Sequence, residues 1–203
     1  MLKKIAVVLM TTVFMPVLAL AANFVEGKDY KLVASPTPVT PGVIEVREFF
    51  WYGCPHCFRL DPFLNTWLKT KPKDVNFVRT PAALNPVWEG SARGYYAIEM
   101  MGMVEKTHTP LFNTIHEKQA RIFDEASLAS FYQRYGVDPT KFRSLFNSFP
   151  VNAKVSQAKQ LAQKYQIEGV PAVIVNGKYM VSGDGAKVIE VTNFLIDKER
   201  NKK

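Results

Sequence analysis

The chain has only two cysteines, and both lie in one tetrapeptide, Cys54-Pro55-His56-Cys57. Gly53 ends a run rich in β-branched and aromatic residues, and Pro55 suits the first position of a helix, where its missing N–H costs nothing. Cysteines three apart at a helix start share one face and lie within bridging distance. Cys54 then sits at the helix N-terminus, where free N–H groups and the helix dipole favour an anion. The thiolate is the nucleophile of disulfide exchange, so this position lowers the Cys54 pKa and suits it to be the attacking or attacked sulfur. Cys57 lies one turn further in, is expected to be more buried, and takes the role of resolving sulfur. His56, when charged, adds a second positive influence on Cys54.

Two other uses of the tetrapeptide compete with exchange. As a structural staple it is weak: a loop of about four residues yields ~1.9 kcal/mol, against ~4.7 for a loop of about 100. As a zinc site it offers Cys54, His56 and Cys57, but structural zinc takes four ligands, usually from two separated knuckles. No further cysteine exists, and His108 and His116 lack ligand-like spacing and read as ordinary helix or loop residues. No metal and no cofactor is expected.

The first residues bear on the compartment. Lys3 and Lys4 precede an apolar run from Ile5 to Leu20, which closes on Ala19-Leu20-Ala21. This pattern reads as a secretory signal peptide over residues 1–21. The competing reading is a membrane anchor, but the run is interrupted by Pro16 and is short for a span of roughly 20 residues. Cleavage after Ala21 leaves 182 of 203 residues and lowers the net charge from +8 to +6. That length can bury one sizeable core, with room for an inserted subdomain. Export brings the cysteines into an oxidising compartment. A basic balance can signal nucleic acid or an anionic membrane. Here the lysines are scattered, apart from the tail Lys198 to Lys203, so a solvated surface is expected and no nucleic-acid partner.

The elements that must position the cysteines can be read along the chain. A short strand is expected near Lys31 to Val33, and a buried strand over Val43 to Tyr52. A helix starts at Cys54, carries Phe58, Phe63, Leu64, Trp67 and Leu68, and should bend at Pro62. Val75 to Val78 makes the next strand. From Pro81 to about Asn152 the chain reads as successive helices, started by Asn85-Pro86, Asp124 and Asp138-Pro139. An amphipathic helix follows through Val155, Leu161 and Tyr165. Then come Val173 to Val175 and Tyr179 to Val181, joined by Asn176-Gly177 with a type I′ turn signal. A last helix runs from Lys187 to Lys198. The order describes an α/β sheet with a helical insertion after its second long strand.

On these residues the chain resembles the DsbA family of periplasmic thiol:disulfide oxidoreductases. The resemblance is carried by Glu48-Phe49-Phe50, Cys54-Pro55-His56-Cys57, Gly169-Val170-Pro171-Ala172 and Val175-Asn176-Gly177-Lys178-Tyr179, and covers nearly the whole mature chain in element order. It implies a thioredoxin fold with an inserted α-helical domain: residues 22–80 and 153–203 would form the thioredoxin-like domain, and 81–152 the insertion. It also implies a cis Val170-Pro171 bond beside the cysteines, and a buried acid beneath them, matched by Glu48 and paired with a basic residue matched by Arg79. Glu48 lies in an apolar strand, so a buried Glu48 needs a partner or a shifted pKa. A surface-facing Glu48 is the alternative. The catalytic set expected is thus Cys54, Cys57, His56, Pro55 and Pro171, with Val170 and Pro171 holding an extended peptide by strand addition.

The function implied is donation of a disulfide to reduced, newly exported proteins in the periplasm, with reoxidation by a membrane partner of the DsbB type. An isomerase or reductase could use the same site. Only about 20 mature residues precede the first core strand, too few for the N-terminal dimerisation domain of dimeric isomerases, which disfavours the isomerase reading; a monomer is expected. A peptide-binding chaperone whose cysteines merely stay oxidised is the reading from a different class.

Overall fold

The computed structural model describes residues 24–202; the signal-peptide segment 1–21 lies outside the described residues. Five strands form one mixed sheet in the order β1-β5-β4-β2-β3. The strands are β1 (Lys31–Leu32), β2 (Ile44–Phe50), β3 (Val75–Pro81), β4 (Ala172–Val175) and β5 (Tyr179–Ser182). β2 and β3 run parallel, joined across one face by α1 (Pro55–Thr70). β4 pairs antiparallel with both β2 and β5, and β1 adds to the β5 edge.

Side chains alternate along β2. Ile44 and Val46 enter the core beneath α1 and the last helix, α7 (Ala186–Arg200), with Leu60, Leu64, Val173, Val191 and Leu195. Glu48 continues that same face. Phe49 points the other way, onto Ala162, Tyr165 and Ile174. Between β4 and β5, Asn176 and Gly177 take φ of 51° and 64°, the positive values that a type I′ turn requires.

Between β3 and β4 the chain forms α2 (Pro86–Met100), α3 (Val104–His116), α4 (Glu125–Gln133), α5 (Pro139–Phe146) and α6 (Phe149–Lys164). Asn85, Asp124, Asp138 and Ser148 cap α2, α4, α5 and α6 with side-chain bonds to backbone N–H groups three residues on. The helices share a core of their own around Tyr95, Phe112, Leu128, Phe131 and Phe142, which extends to Phe50, Tyr52 and Cys57. α6 joins the two parts: Val151, Val155 and Ala158 belong to the helical core, Ala162 to the core beneath the sheet. The fold is a thioredoxin-type α/β sheet with a helical insertion, and Cys57 lies where the two meet.

Candidate active site

α1 begins as its sequence requires. Cys54 is the N-cap residue in extended conformation, and Pro55 opens the helix. The Cys54 sulfur accepts from the Cys57 N–H at 3.5 Å, and its thiol donates to the Val170 carbonyl at 3.2 Å. Cys54 keeps 7% of its surface exposed and Cys57 none. The two thiols are therefore unlike. The hydrogen bond from the Cys57 thiol, backbone N–H groups of the first turn and the charge of His56 together outweigh burial and pull the Cys54 thiol down to about 6. Burial first, then the neighbouring Cys54, pushes the Cys57 thiol far above the ordinary range.

Val170-Pro171 is a cis peptide bond. Sequence pairing of β4 with β5 starts at Ala172, so the Gly169-Val170-Pro171 backbone lies outside the ladder. It borders a groove of about 480 Å³ whose walls include Leu32, His56, Val170, Pro171 and Met180. His56 itself turns its Nδ1 outward to Asp184, at 2.8 Å.

Beneath the cysteines, Glu48 and Arg79 are register partners on the parallel strands β2 and β3. Their side chains form a buried ion pair, Arg79 Nε to Glu48 Oε2 at 3.5 Å, so Glu48 faces inward and not the surface. Burial dominates at Glu48 and raises its carboxyl to about 7, with the Arg79 charge opposing. Arg79 is shared. Asp61 of α1 approaches its Nη2 at 3.7 Å, and Asp61 also accepts from Thr109 at 2.7 Å and Asn65 at 2.9 Å. Burial works against an ionised Asp61, yet hydrogen bonding and charge from His108, Thr109 and Arg79 keep it below the usual carboxylate range. The anion thus settles first on the better-bonded Asp61, and Glu48 is left about half protonated at pH 7.

His108 of α3 closes this cluster. Burial and the Arg79 charge push it down to about 4, so it is neutral at pH 7. The Tyr52 hydroxyl lies 2.8 Å from its Nδ1, which fits Tyr52 donating to Nδ1 with the ring proton on Nε2 facing Asp61 at 3.4 Å.

Sequence reasoning brought together Cys54, Cys57, His56, Pro55, Val170, Pro171, Glu48 and Arg79. It missed Asp61, His108 and the hydroxyl of Tyr52. A signal for Asp61 was present: it lies four residues after Cys57, on the buried face that also carries Leu60 and Leu64. His108 gave no such signal, because its helix has no side-chain cap and Pro110 interrupts its pattern.

Exchange between thiols and disulfides is the chemistry that an acidic thiol with a small exposed surface and its fully buried neighbour can perform, and a thioredoxin-type sheet presents them. The protein is a thiol:disulfide oxidoreductase of thioredoxin fold. A family model, the DSBA-like thioredoxin domain, matches residues 45–190. The thiol:disulfide interchange protein DsbA of Pseudomonas syringae pv. tomato is 42% identical over 188 residues, covering 90% of this chain and 88% of that protein. The crystal structure of Pseudomonas aeruginosa DsbA superposes with a TM-score of 0.83 at 38% identity, covering 88% of this chain and 96% of that one. The oxidoreductase NmDsbA1 of N. meningitidis gives 0.76 at 26% identity, over 88% of this chain and 95% of that one. The chain belongs to the DSBA-like thioredoxin domain family.

Proposed function

We propose that the protein donates its Cys54–Cys57 disulfide to reduced, newly exported proteins in the periplasm. The observation that carries this reading is the contrast between the two sulfurs: Cys54 keeps a small exposed surface and is acidic, Cys57 is sealed and is not. A substrate thiolate attacks the Cys54 sulfur, a mixed disulfide forms, and Cys57 leaves with the bond's electron pair. Glu48, about half protonated at pH 7, is the nearby acid that can give the buried Cys57 sulfur its proton. A second substrate thiolate then attacks the substrate sulfur of the mixed disulfide. Cys54 departs as a thiolate, which its low pKa makes a good leaving group. The substrate dithiol has become a disulfide, and the protein's disulfide a dithiol.

The remaining residues serve that exchange. Pro55 sets the helix start that puts N–H groups beneath Cys54. His56 supplies charge. Val170 and Pro171 offer a backbone outside the sheet ladder, along which an extended peptide can lie by strand addition. Arg79 holds Glu48. The division into a thioredoxin-like domain, 22–80 and 153–203, and an inserted helical domain, 81–152, belongs to the same reading. So do the signal peptide over 1–21, a monomeric state, and reoxidation by a quinone-linked membrane protein of the DsbB type.

Trapping tests it. Cys57→Ser should accumulate mixed disulfides through Cys54 when offered an unfolded substrate that carries a disulfide, and Cys54→Ser should neither trap that substrate nor oxidise a reduced one. Faster alkylation of Cys57 than of Cys54 in the reduced protein at neutral pH would reverse the assigned roles.

A further inference from the structure

Asp184 lies on the turn between β5 and α7. Its neighbours Gly183 and Gly185 take φ of 117° and 81°, conformations that side chains other than glycine rarely adopt. The turn is seated against α1: a Cβ on Gly185 would stand 4.0 Å from the ring of Phe63. From there the Asp184 carboxylate reaches the first turns of α1. Its Oδ2 accepts from Arg59 Nε at 2.8 Å and stands 2.8 Å from His56 Nδ1. The Nη2 of Arg59 lies 2.7 Å from that same Nδ1.

His56 Nδ1 cannot serve both neighbours. Carrying a proton it donates to Asp184; without one it accepts from Arg59. The carboxylate and the guanidinium thus compete for the same ring nitrogen. Asp184 also binds Arg59 through Nε, so it draws the competing cation onto itself. Hydrogen bonds from His56 and then Arg59 hold the Asp184 carboxyl below the usual range, so it is an anion at neutral pH. The charge of His56 is among the influences that lower the Cys54 thiol. Two further charged side chains, Lys31 and Glu168, line the groove that His56 borders, and they are of opposite sign.

We infer that Asp184 is a positioning residue for the exchange reaction: it anchors the His56 imidazole at the first turn of α1 beside Cys54, draws the Arg59 guanidinium onto itself, and so makes the cysteine pair more oxidising. The inference rests on the exchange reading proposed above. All three side chains are partly exposed, at 59%, 52% and 31% for His56, Arg59 and Asp184, so salt should weaken the effect.

The test is the redox equilibrium with glutathione together with the pH profile of Cys54 alkylation. Both are measured for the wild type, Asp184→Asn, His56→Ala and the double variant, at low and high salt. Asparagine keeps the acceptor oxygen and removes the charge. Asp184→Asn should shift the equilibrium about two- to threefold toward the oxidised protein, the scale expected of an exposed pair. It should raise the Cys54 ionisation midpoint by a few tenths, and both shifts should shrink in ~1 M salt. Both should vanish when His56 is already alanine. An unmoved equilibrium, a more oxidising Asp184→Asn protein, or an equal shift in the His56→Ala background would each overturn the inference. A wild type inert toward glutathione would instead sink the exchange reading, and this inference with it.

Discussion

Reducing the protein should change how its stability depends on pH, and the two sulfurs give the size of the change. Cys54 ionises at about 6 in the folded protein and at about 8.5 in an unfolded chain. A depressed folded pKa stabilises the fold fully above the unfolded value, and the contribution is lost as pH falls through the folded one. For Cys54 this amounts to nearly nothing at pH 5, about 1.4 kcal/mol at pH 7 and about 3 kcal/mol at pH 8.5. Cys57 acts in the opposite sense, because burial raises its thiol. It matters only once unfolded thiols ionise, and at pH 8.5 it subtracts less than ~0.5 kcal/mol. The oxidised protein has neither thiol, and Glu48 is present in both forms. The reduced form should therefore gain about 2.5 kcal/mol on the oxidised form between pH 5 and 8.5, a swing of roughly 5–10 °C in Tm for a chain this size. The disulfide closes a loop worth about 2 kcal/mol, so the two forms should match near pH ~7.5, with the oxidised form ahead in acid and the reduced form ahead above. Paired urea unfolding across this range, with a non-thiol reductant for the reduced arm, measures the gap directly. A gap constant to within ~0.5 kcal/mol would refute the assignment of an acidic Cys54.

Three substitutions probe the surroundings of the pair. Glu48→Gln should slow release of Cys57 and remove an inflection near pH 7 from the rate of substrate oxidation, since Glu48 titrates at about 7; an unchanged profile would take Glu48 out of the proton step. Arg79→Met leaves Glu48 and Asp61 buried without their guanidinium and should cost ~3–5 kcal/mol by urea unfolding, whereas a loss under ~1 would show that the pairing contributes little. Pro171→Thr should slow release of mixed disulfides, seen as trapped complexes on non-reducing gels; normal turnover without them would remove Pro171 from substrate handling.

The parts of this site that were legible in the sequence are those fixed by local chemistry. Cys54 and Pro55 define a helix start through capping and the fixed φ of proline, so the asymmetry of the two sulfurs follows from their spacing alone. Asn176-Gly177 announces its turn in the same way. Glu48 and Arg79 are 31 residues apart, and only the register of β2 on β3 joins them; a family resemblance reached that pair where periodicity could not. α3 reads in the sequence only as part of a general helical stretch, because Met103 offers it no side-chain cap and Pro110 lies within it. With α3 went His108, whose neutral state depends on burial between β2, α1 and α3. The reach of Asp184 across 128 residues to His56 depends on how the β5–α7 turn seats on α1, a tertiary fact with no local pattern.

The most direct test of disulfide donation mixes the oxidised protein with an equivalent of a reduced dithiol peptide and follows both by mass spectrometry. The account predicts that the peptide loses its thiol hydrogens and the protein gains them, through a mixed disulfide at Cys54, with the equilibrium on the side of oxidised peptide at pH 8.5, where the reduced fold is the more stable. A protein that stays oxidised while the peptide stays reduced would contradict it.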